Sequence, residues 1–251
     1  MTTFQLAGVE VPRVGMGTNR LTTSHVEFVR EAVAEGLRHV DTAHLYSGGD
    51  SERAVGEALT GVREEVLVAT KGGYRPGEGR PEVLEAQIEQ SLRSLRTDAI
   101  GLYYLHRVDP EIPLEESMGT IKAQVDRGVI RHVGISEVGI GEIERARTVV
   151  PIAAVQNRYS VSDRQHDEVV DYCEREGIPF VAYFPLRGQG GPGVAEAAGR
   201  LGVSGNAVKL AWLLQRSPVV LPIPGTLSIE HLRENLAALE LDLGDAAGIA
   251  A

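Results

Sequence analysis

Short apolar runs alternate with longer amphipathic stretches along the whole chain, and this alternation constrains the fold more than any single motif. The apolar runs are "RVGMGT" (13–18), "RHVDTA" (38–43), "EVLVATK" (65–71), "IGLYYLH" (100–106), "IRHVGIS" (130–136), "IAAVQN" (152–157), "PFVAYF" (179–184) and "VVLPIP" (219–224). Their length and near-continuous apolarity suit strands buried on both faces. Between them, stretches such as "HVEFVREAVAEGL", "PEVLEAQIEQSLRSL" and "RQHDEVVDYCEREG" carry apolar residues at helical spacing, and several end in Gly as a helix C-cap does. Repeated strand-then-helix units imply right-handed crossovers and a parallel sheet. Eight such units between residues 13 and 224 favour a closed α/β (β/α)₈ TIM barrel over an open doubly wound sheet. An open nucleotide-binding sheet is also expected to carry Gly-x-Gly-x-x-Gly after its first strand, and "GMGTNRL" lacks the third glycine. The preceding "FQLAGVEVP" reads as an N-terminal β-hairpin with "AG" at its turn, placed to close the bottom of the barrel. No linker, low-complexity tract or charge block interrupts the pattern, so residues 1–251 are expected to form a single domain.

Composition excludes several kinds of partner. A formal net charge of -10 argues against nucleic acid, which needs a clustered basic surface. No run of about 18 apolar residues and no basic-then-apolar leader occurs, so a cytoplasmic protein with no membrane partner is expected. The single cysteine, Cys173, cannot form an intramolecular disulfide and reads as a small core residue, as Trp212 in "AVKLAWLLQ" reads as core packing. No His or Cys cluster has metal-ligand spacing, so no metal is expected. Only Lys71, Lys122 and Lys209 are lysine among 25 basic residues, so a lysine in an apolar context is a candidate for a specific role.

In a barrel the site lies at the C-terminal ends of the strands. Asp41 ends the second predicted strand, with Tyr46 following in the loop "VDTAHLYSGGDSE". Lys71 ends the third strand, His106 the fourth, Ser136 the fifth, Gln156 and Asn157 the sixth and Tyr183 the seventh, with "IPGT" after the eighth. Singly, each has a packing alternative. Asp41 can cap a turn, Asp50 or Ser51 can N-cap the next helix, Lys71 can snorkel out of the sheet, and His106 can be a satisfied core histidine. Together they suit proton transfer. A phenol with pKa about 10 is a poor acid at neutral pH; a neighbouring ammonium favours its ionised form and lowers that value. Lys71 would do so for Tyr46, Asp41 would hold Lys71 charged, and His106 would orient a carbonyl oxygen. The same pairing disfavours Schiff-base chemistry at Lys71, which needs a neutral amine.

The ordered set "DTAHLY" with "GGDSE", "VATKGG", "YYLHRVD", "RHVGISE", "AAVQNRYS", "VAYFPL" and "IPGT…HLREN" resembles the aldo-keto reductase family from about residue 5 to about residue 237. The resemblance implies a (β/α)₈ barrel that binds NADPH and transfers hydride from C4 of the nicotinamide to an aldehyde or ketone, a small-molecule carbonyl substrate. It makes Tyr46 the general acid, Lys71 and Asp41 its tuning pair, and His106 the carbonyl-orienting residue. It places Thr18, Asp41, Ser136, Glu137 and Gln156 near the nicotinamide and its carboxamide. The Tyr183 ring stacks on the nicotinamide, with Phe184 beside it. Leu186 and Gly188 in "LRGQGG" approach the pyrophosphate, and Gly225, Thr226, Ser228, His231, Glu234 and Asn235 flank the adenosine end. A monomer is expected.

Four departures from the family pattern stand out. Glu137 replaces a common Asn beside the carboxamide. His231 and Gly225 fall where many members carry an arginine and a lysine for the 2′-phosphate, and Arg233 should point away from His231, so NADH is a possible cofactor as well. Asn19 and Arg107 replace aromatic pocket walls; pairing of Arg107 with Asp109 is preferred over a grip on an anionic substrate. The sequence stops soon after "LDLGDAAGIAA", and the loop after the fourth strand is short, so an open pocket with weak discrimination or a bulky substrate is expected. The alternative function is a cofactor-binding regulatory or partner-binding module on the same fold, with slow turnover.

Overall fold

The computed structural model describes residues 3–244 and Ile249. An antiparallel hairpin of β1 (Thr3–Leu6) and β2 (Val9–Pro12) comes first. Its turn residues Ala7 and Gly8 both have positive φ, 49° and 74°, the backbone of a tight two-residue hairpin. Eight parallel strands follow: β3 (Met16–Gly17), β4 (His39–Asp41), β5 (Leu67–Gly72), β6 (Ile100–Leu105), β7 (Ile130–Ser136), β8 (Ile152–Arg158), β9 (Phe180–Tyr183) and β10 (Val220–Pro222). Each of the eight expected runs coincides with one of them, β5 and β8 running one residue past theirs, to Gly72 and Arg158. The intervening helices are α1 (Val26–Ala34), α2 (Asp50–Ala58), α3 (Pro81–Leu95), α4 (Leu114–Asp126), α5 (Ile140–Arg147), α6 (Asp167–Glu176), α7 (Gly191–Leu201), α8 (Gly205–Arg216) and α9 (Ile229–Ala237). Among the described residues no helix is long and apolar enough to cross a membrane.

The first and last strands are shorter than their apolar runs, for a definable reason. Gly15 donates to Pro222 O at 3.0 Å and Gly17 to Pro224 O at 3.3 Å, closing the sheet between its two edges. Pro222 and Pro224 have no N–H to return, so the seam is hydrogen-bonded mainly from one side. Arg13 staples it from below, donating to the carbonyls of Leu214 and Ser217 at 2.8 and 2.7 Å.

Strand periodicity sorts the inside of the barrel into layers. Leu67, Ala69, Leu102, Tyr104, Ala154, Val181, Leu221 and Ile223 pack with Leu6, Ala7 and Val11 of the hairpin, which plugs the bottom. Gly134 leaves the space for Tyr104: a Cβ there would lie 2.3 Å from the tyrosine ring. Two residues beyond Ala69 and Ala154 come Lys71 and Gln156, and two beyond His39 on β4 comes Asp41, so the period of two that builds the floor also delivers a polar ceiling. Cys173 and Trp212 lie in the outer core between strands and helices, and burial pushes the Cys173 thiol up to about 12.

His39, in the barrel floor, is fully buried with no hydrogen-bond partner on either ring nitrogen, and a Cβ on Gly15 would meet its Nδ1 at 2.5 Å. Burial drives its pKa down from 6.5 to about 4, so it is neutral in the folded protein above that pH. As pH falls from about 6.5 to about 4, the unfolded chain binds a proton that the fold refuses, and stability falls; below about 4 this contribution is constant. The expected loss is about 3 kcal/mol from this group. Unfolding free energies of wild type and His39→Leu across that range should diverge accordingly, and parallel pH profiles would refute the assignment.

Candidate active site

The loop between β4 and α2 holds Tyr46 over the mouth of the barrel. Ser47, Gly48 and Gly49 turn in succession through left-handed conformations at φ 50°, 64° and 90°, which glycine adopts without a Cβ penalty. Ser51 does not cap α2; its hydroxyl bonds Thr18 O and Thr18 Oγ1 at 2.9 and 2.8 Å and pairs with Thr42 Oγ1 at 2.8 Å. Asp50, the first residue of α2, pairs with Arg53. Thr18 in turn bonds Asp41 O through both its backbone N–H and its hydroxyl. The base of the loop is thus tied to the ends of β3 and β4.

Lys71 leaves β5 directly into this ceiling and does not snorkel: it is fully buried. Its ammonium donates to Asp41 Oδ1 at 2.5 Å and Thr42 O at 2.7 Å, and lies 5.2 Å from the centre of the Tyr46 ring. Gln156 donates to the other oxygen of Asp41 at 2.7 Å. The His106 ring meets the Tyr46 ring edge-on with centroids 6.0 Å apart. Burial and the positive charges of Lys71 and Arg107 take the imidazole down to about 2, so it is neutral at any working pH, and its Nδ1 is buried without a partner.

Tyr46 departs from the expectation of a lowered pKa. Burial raises it, Lys71 opposes that rise, and Asp41 cancels part of the opposition, so the net direction is upward. The ammonium is shared: the carboxylate that fixes it also weakens its pull on the phenol. Tyr46 is therefore protonated at neutral pH.

These groups open onto a cleft of about 650 Å³ lined by Thr18, Asp41, Tyr46, His106, Ser136, Gln156, Tyr183, Phe184, Leu186 and Gly225, all singled out in the sequence. The sequence matches the Aldo/keto reductase family over residues 13–191 and 193–247. The chain belongs to the aldo-keto reductase family. It is 33% identical over 270 residues to the pyridoxine 4-dehydrogenase of Escherichia coli, covering 97% of this chain and 94% of that protein. A thermostable aldo-keto reductase, Tm1743, solved with the inhibitor epalrestat, superposes with a TM-score of 0.89 at 32% identity over 98% of this chain and 96% of that one. An aldo/keto reductase from Klebsiella pneumoniae in complex with NADP and acetate gives 0.87 at 29% identity over 97% and 91%.

Other expected positions of this aldo-keto reductase fall differently. Glu137 is half-buried and does not line the cleft; its carboxylate accepts the Arg158 N–H at 2.6 Å and lies 3.9 Å from His166. Asn157 clamps the chain after β7, its amide bonding Val138 N and O at 3.1 and 2.7 Å. Gly188, Thr226, Ser228, His231, Glu234 and Asn235 lie outside the lining. Ser228 caps α9, accepting from His231 N, while Arg233 is held by Glu35 in a two-point ion pair with distances of 2.9 and 2.6 Å. Most of the C-terminal "DAAGIAA" lies outside the described residues.

One expectation is corrected. Arg107 does not pair with Asp109, whose carboxylate accepts the backbone N–H groups of Gly79 and Glu111, both at 2.8 Å; Arg107 turns into the cleft instead. Asn19 and Arg107 both line the cleft, and aromatic surface comes from elsewhere: Tyr74, from the loop after β5, stands 4.8 Å from His106, and Phe184 is half-exposed at the rim. Tyr74, Leu45, Arg20 and Arg187 were missed because they sit in loops outside any strand-end register. Lys209 was missed although the scarcity of lysine marked it: it is buried on α8 and donates to Gly188 O at 2.6 Å, under the glycine loop.

The Lys71–Asp41 pair gives a stability test. Asp41→Asn leaves a buried ammonium without its counter-charge and should cost about 3–5 kcal/mol in urea unfolding. Adding Lys71→Met to it should recover much of that loss; a fully additive double variant would show that the two charges do not depend on each other.

Proposed function

We propose that this aldo-keto reductase reduces an aldehyde or ketone to an alcohol with NADPH, Tyr46 giving the proton. The observation that carries the reading is the convergence on one cleft of a protonated phenol, a buried ammonium–carboxylate pair and a neutral imidazole. A carbonyl oxygen that gains negative charge needs a donor within reach, and a half-buried phenol beside an ammonium is such a donor. Lys71 stabilises the phenolate left behind, and Asp41, steadied by Gln156, keeps Lys71 in place. His106, held neutral, can donate one hydrogen bond to the carbonyl without competing for the proton.

The residues present fit a dinucleotide phosphate. The cleft is lined by Arg20, Arg107 and Arg187 against a single carboxylate, Asp41, whose charge Lys71 balances. The glycine loop turns through Gly188 and Gly190 at φ 77° and 82°, with Ser162 accepting the Gly190 N–H at 3.2 Å, a backbone form suited to gathering amides around an anion. NADPH, when bound, supplies the hydride. Ser136 and Gln156 would hold its carboxamide, the Tyr183 ring its nicotinamide, residues 186–191 its diphosphate, and Thr226 and Ser228 with α9 its adenosine end. With Arg233 engaged by Glu35, Arg20 is the arginine left near that end beside the His231 ring, so NADH is the competing cofactor in any assay.

Titration of the purified protein with NADPH and with NADH, followed by intrinsic fluorescence, and then addition of nitrobenzaldehyde tests the reading. Carbonyl-dependent loss of cofactor absorbance supports it; binding without turnover would instead favour a cofactor-binding regulatory module. Tyr46→Phe should lower kcat/KM by roughly 10²–10⁴-fold with NADPH affinity nearly unchanged. A variant as active as wild type would remove Tyr46 from the proton path.

A further inference from the structure

Arg107 is left over once the cofactor reading has used the cleft's other cations. Arg187 belongs to the glycine loop, with its guanidinium 6.0 Å from the Phe184 ring, and Arg20 reaches Gly225 O at 3.3 Å on the adenosine side. Arg107 follows His106 directly and lies between Tyr74 and Tyr183, its guanidinium carbon 5.3 and 5.9 Å from their ring centres. Its acceptors are His106 O at 2.6 Å, Ser136 Oγ at 3.4 Å and Tyr183 OH at 3.2 Å, all neutral. The sequence has 35 acidic residues, yet among the described ones none forms an ion pair with Arg107, and nearby Asp109 is tied to two backbone amides. The nearest carboxylate on this side, Glu137, reaches the Tyr183 hydroxyl and not the guanidinium, so Arg107 is a half-buried cation with no direct carboxylate partner, facing the space beside the carbonyl-orienting histidine.

We infer that Arg107 is a substrate-binding residue and that the preferred substrates are aldehydes or ketones carrying a carboxylate, which Arg107 receives on the Tyr74 side of the cleft. The inference rests on the reductase reading. A carboxylate fits better than a phosphate because the two aromatic rings flank the guanidinium and favour a planar partner meeting its edge. A dianion would call for a second cation, and no other cationic side chain contacts this group. Tyr74, half-exposed and unused by the cofactor reading, would then cover the substrate's apolar body.

The test compares 4-carboxybenzaldehyde with 4-carbamoylbenzaldehyde, which match in shape and differ in charge, using NADPH and wild type, Arg107→Gln and Arg107→Lys. The carboxamide is the internal reference within each protein, so a merely deformed pocket lowers both substrates together. Wild type should prefer the carboxylate by roughly 10–100-fold in kcat/KM, the range of a charge-assisted pair. Arg107→Gln should bring the ratio near one, with the loss in KM, and Arg107→Lys should restore part of it. Raising the salt concentration should narrow the wild-type ratio. If wild type reduces both aldehydes alike, or the ratio survives Arg107→Gln, the inference is overturned while the reductase reading stands. If 4-formylphenyl phosphate outruns the carboxylate, the substrate class is wrong. If wild type reduces none of the three with either NADPH or NADH, the reductase reading falls and takes the inference with it.

Discussion

A buried ammonium against a buried carboxylate organises the mouth of this barrel. Lys71 and Asp41 come from neighbouring strands, β5 and β4, both from positions whose side chains point inward. Taking either charge out of water alone costs several kcal/mol, and their attraction offsets that only when every remaining polar valence is met. Here they are met locally. Thr42 O accepts a second hydrogen bond from the ammonium, and Gln156 donates to the second carboxylate oxygen from across the barrel. The carbonyl of Asp41 holds Thr18, and Thr18 holds Ser51 at the start of the helix behind Tyr46. One ion pair thereby fixes the height of the loop that carries the phenol.

That arrangement also explains which parts of the molecule were legible in the sequence. Strand-end positions were readable because a period of two and an apolar floor dictate what must point inward one step higher; Asp41, Lys71 and Gln156 follow from that geometry. The hairpin plug was readable from a small-residue turn between two apolar arms. The short seam strands were not, since nothing local in "RVGMGT" says that its partners are prolines lacking N–H groups. Side chains on loops were the least legible. Asp109 stood two residues from Arg107 and offered the simplest partner, but the backbone amides of Gly79 and Glu111 claim it first. Tyr74 reaches the cleft only because the chain after β5 folds back toward β6, a long-range fact with no period to announce it.

The electrostatic layout is inverted relative to composition. In an acidic chain this cleft still gathers cations without an ion pair: Arg20, Arg107 and Arg187 line it, and Lys209 lies beneath its glycine loop. Many cations elsewhere, such as Arg145 with Glu115 and Arg233 with Glu35, are matched at the surface, where pairs contribute little to stability. Net negative charge outside and unmatched positive charge inside draw an anionic ligand toward the cleft and away from the rest of the surface. This is the distribution a reductase needs when its cofactor, and by the inference drawn from Arg107 its substrate, both carry negative charge.

The upward shift of Tyr46 fits this picture better than the lowered value expected from Lys71 alone. A proton donor must hold its proton until charge develops on the acceptor, and a phenol already ionised by its neighbour could not donate. Asp41 restrains the ammonium in two senses, geometric and electrostatic, so that Lys71 steadies a phenolate once formed without creating one beforehand. His106 completes the division of labour by remaining neutral: two positive neighbours and burial prevent it from competing for the proton. In the reaction proposed for Tyr46, the proton would therefore move when negative charge appears on the carbonyl oxygen, and not before.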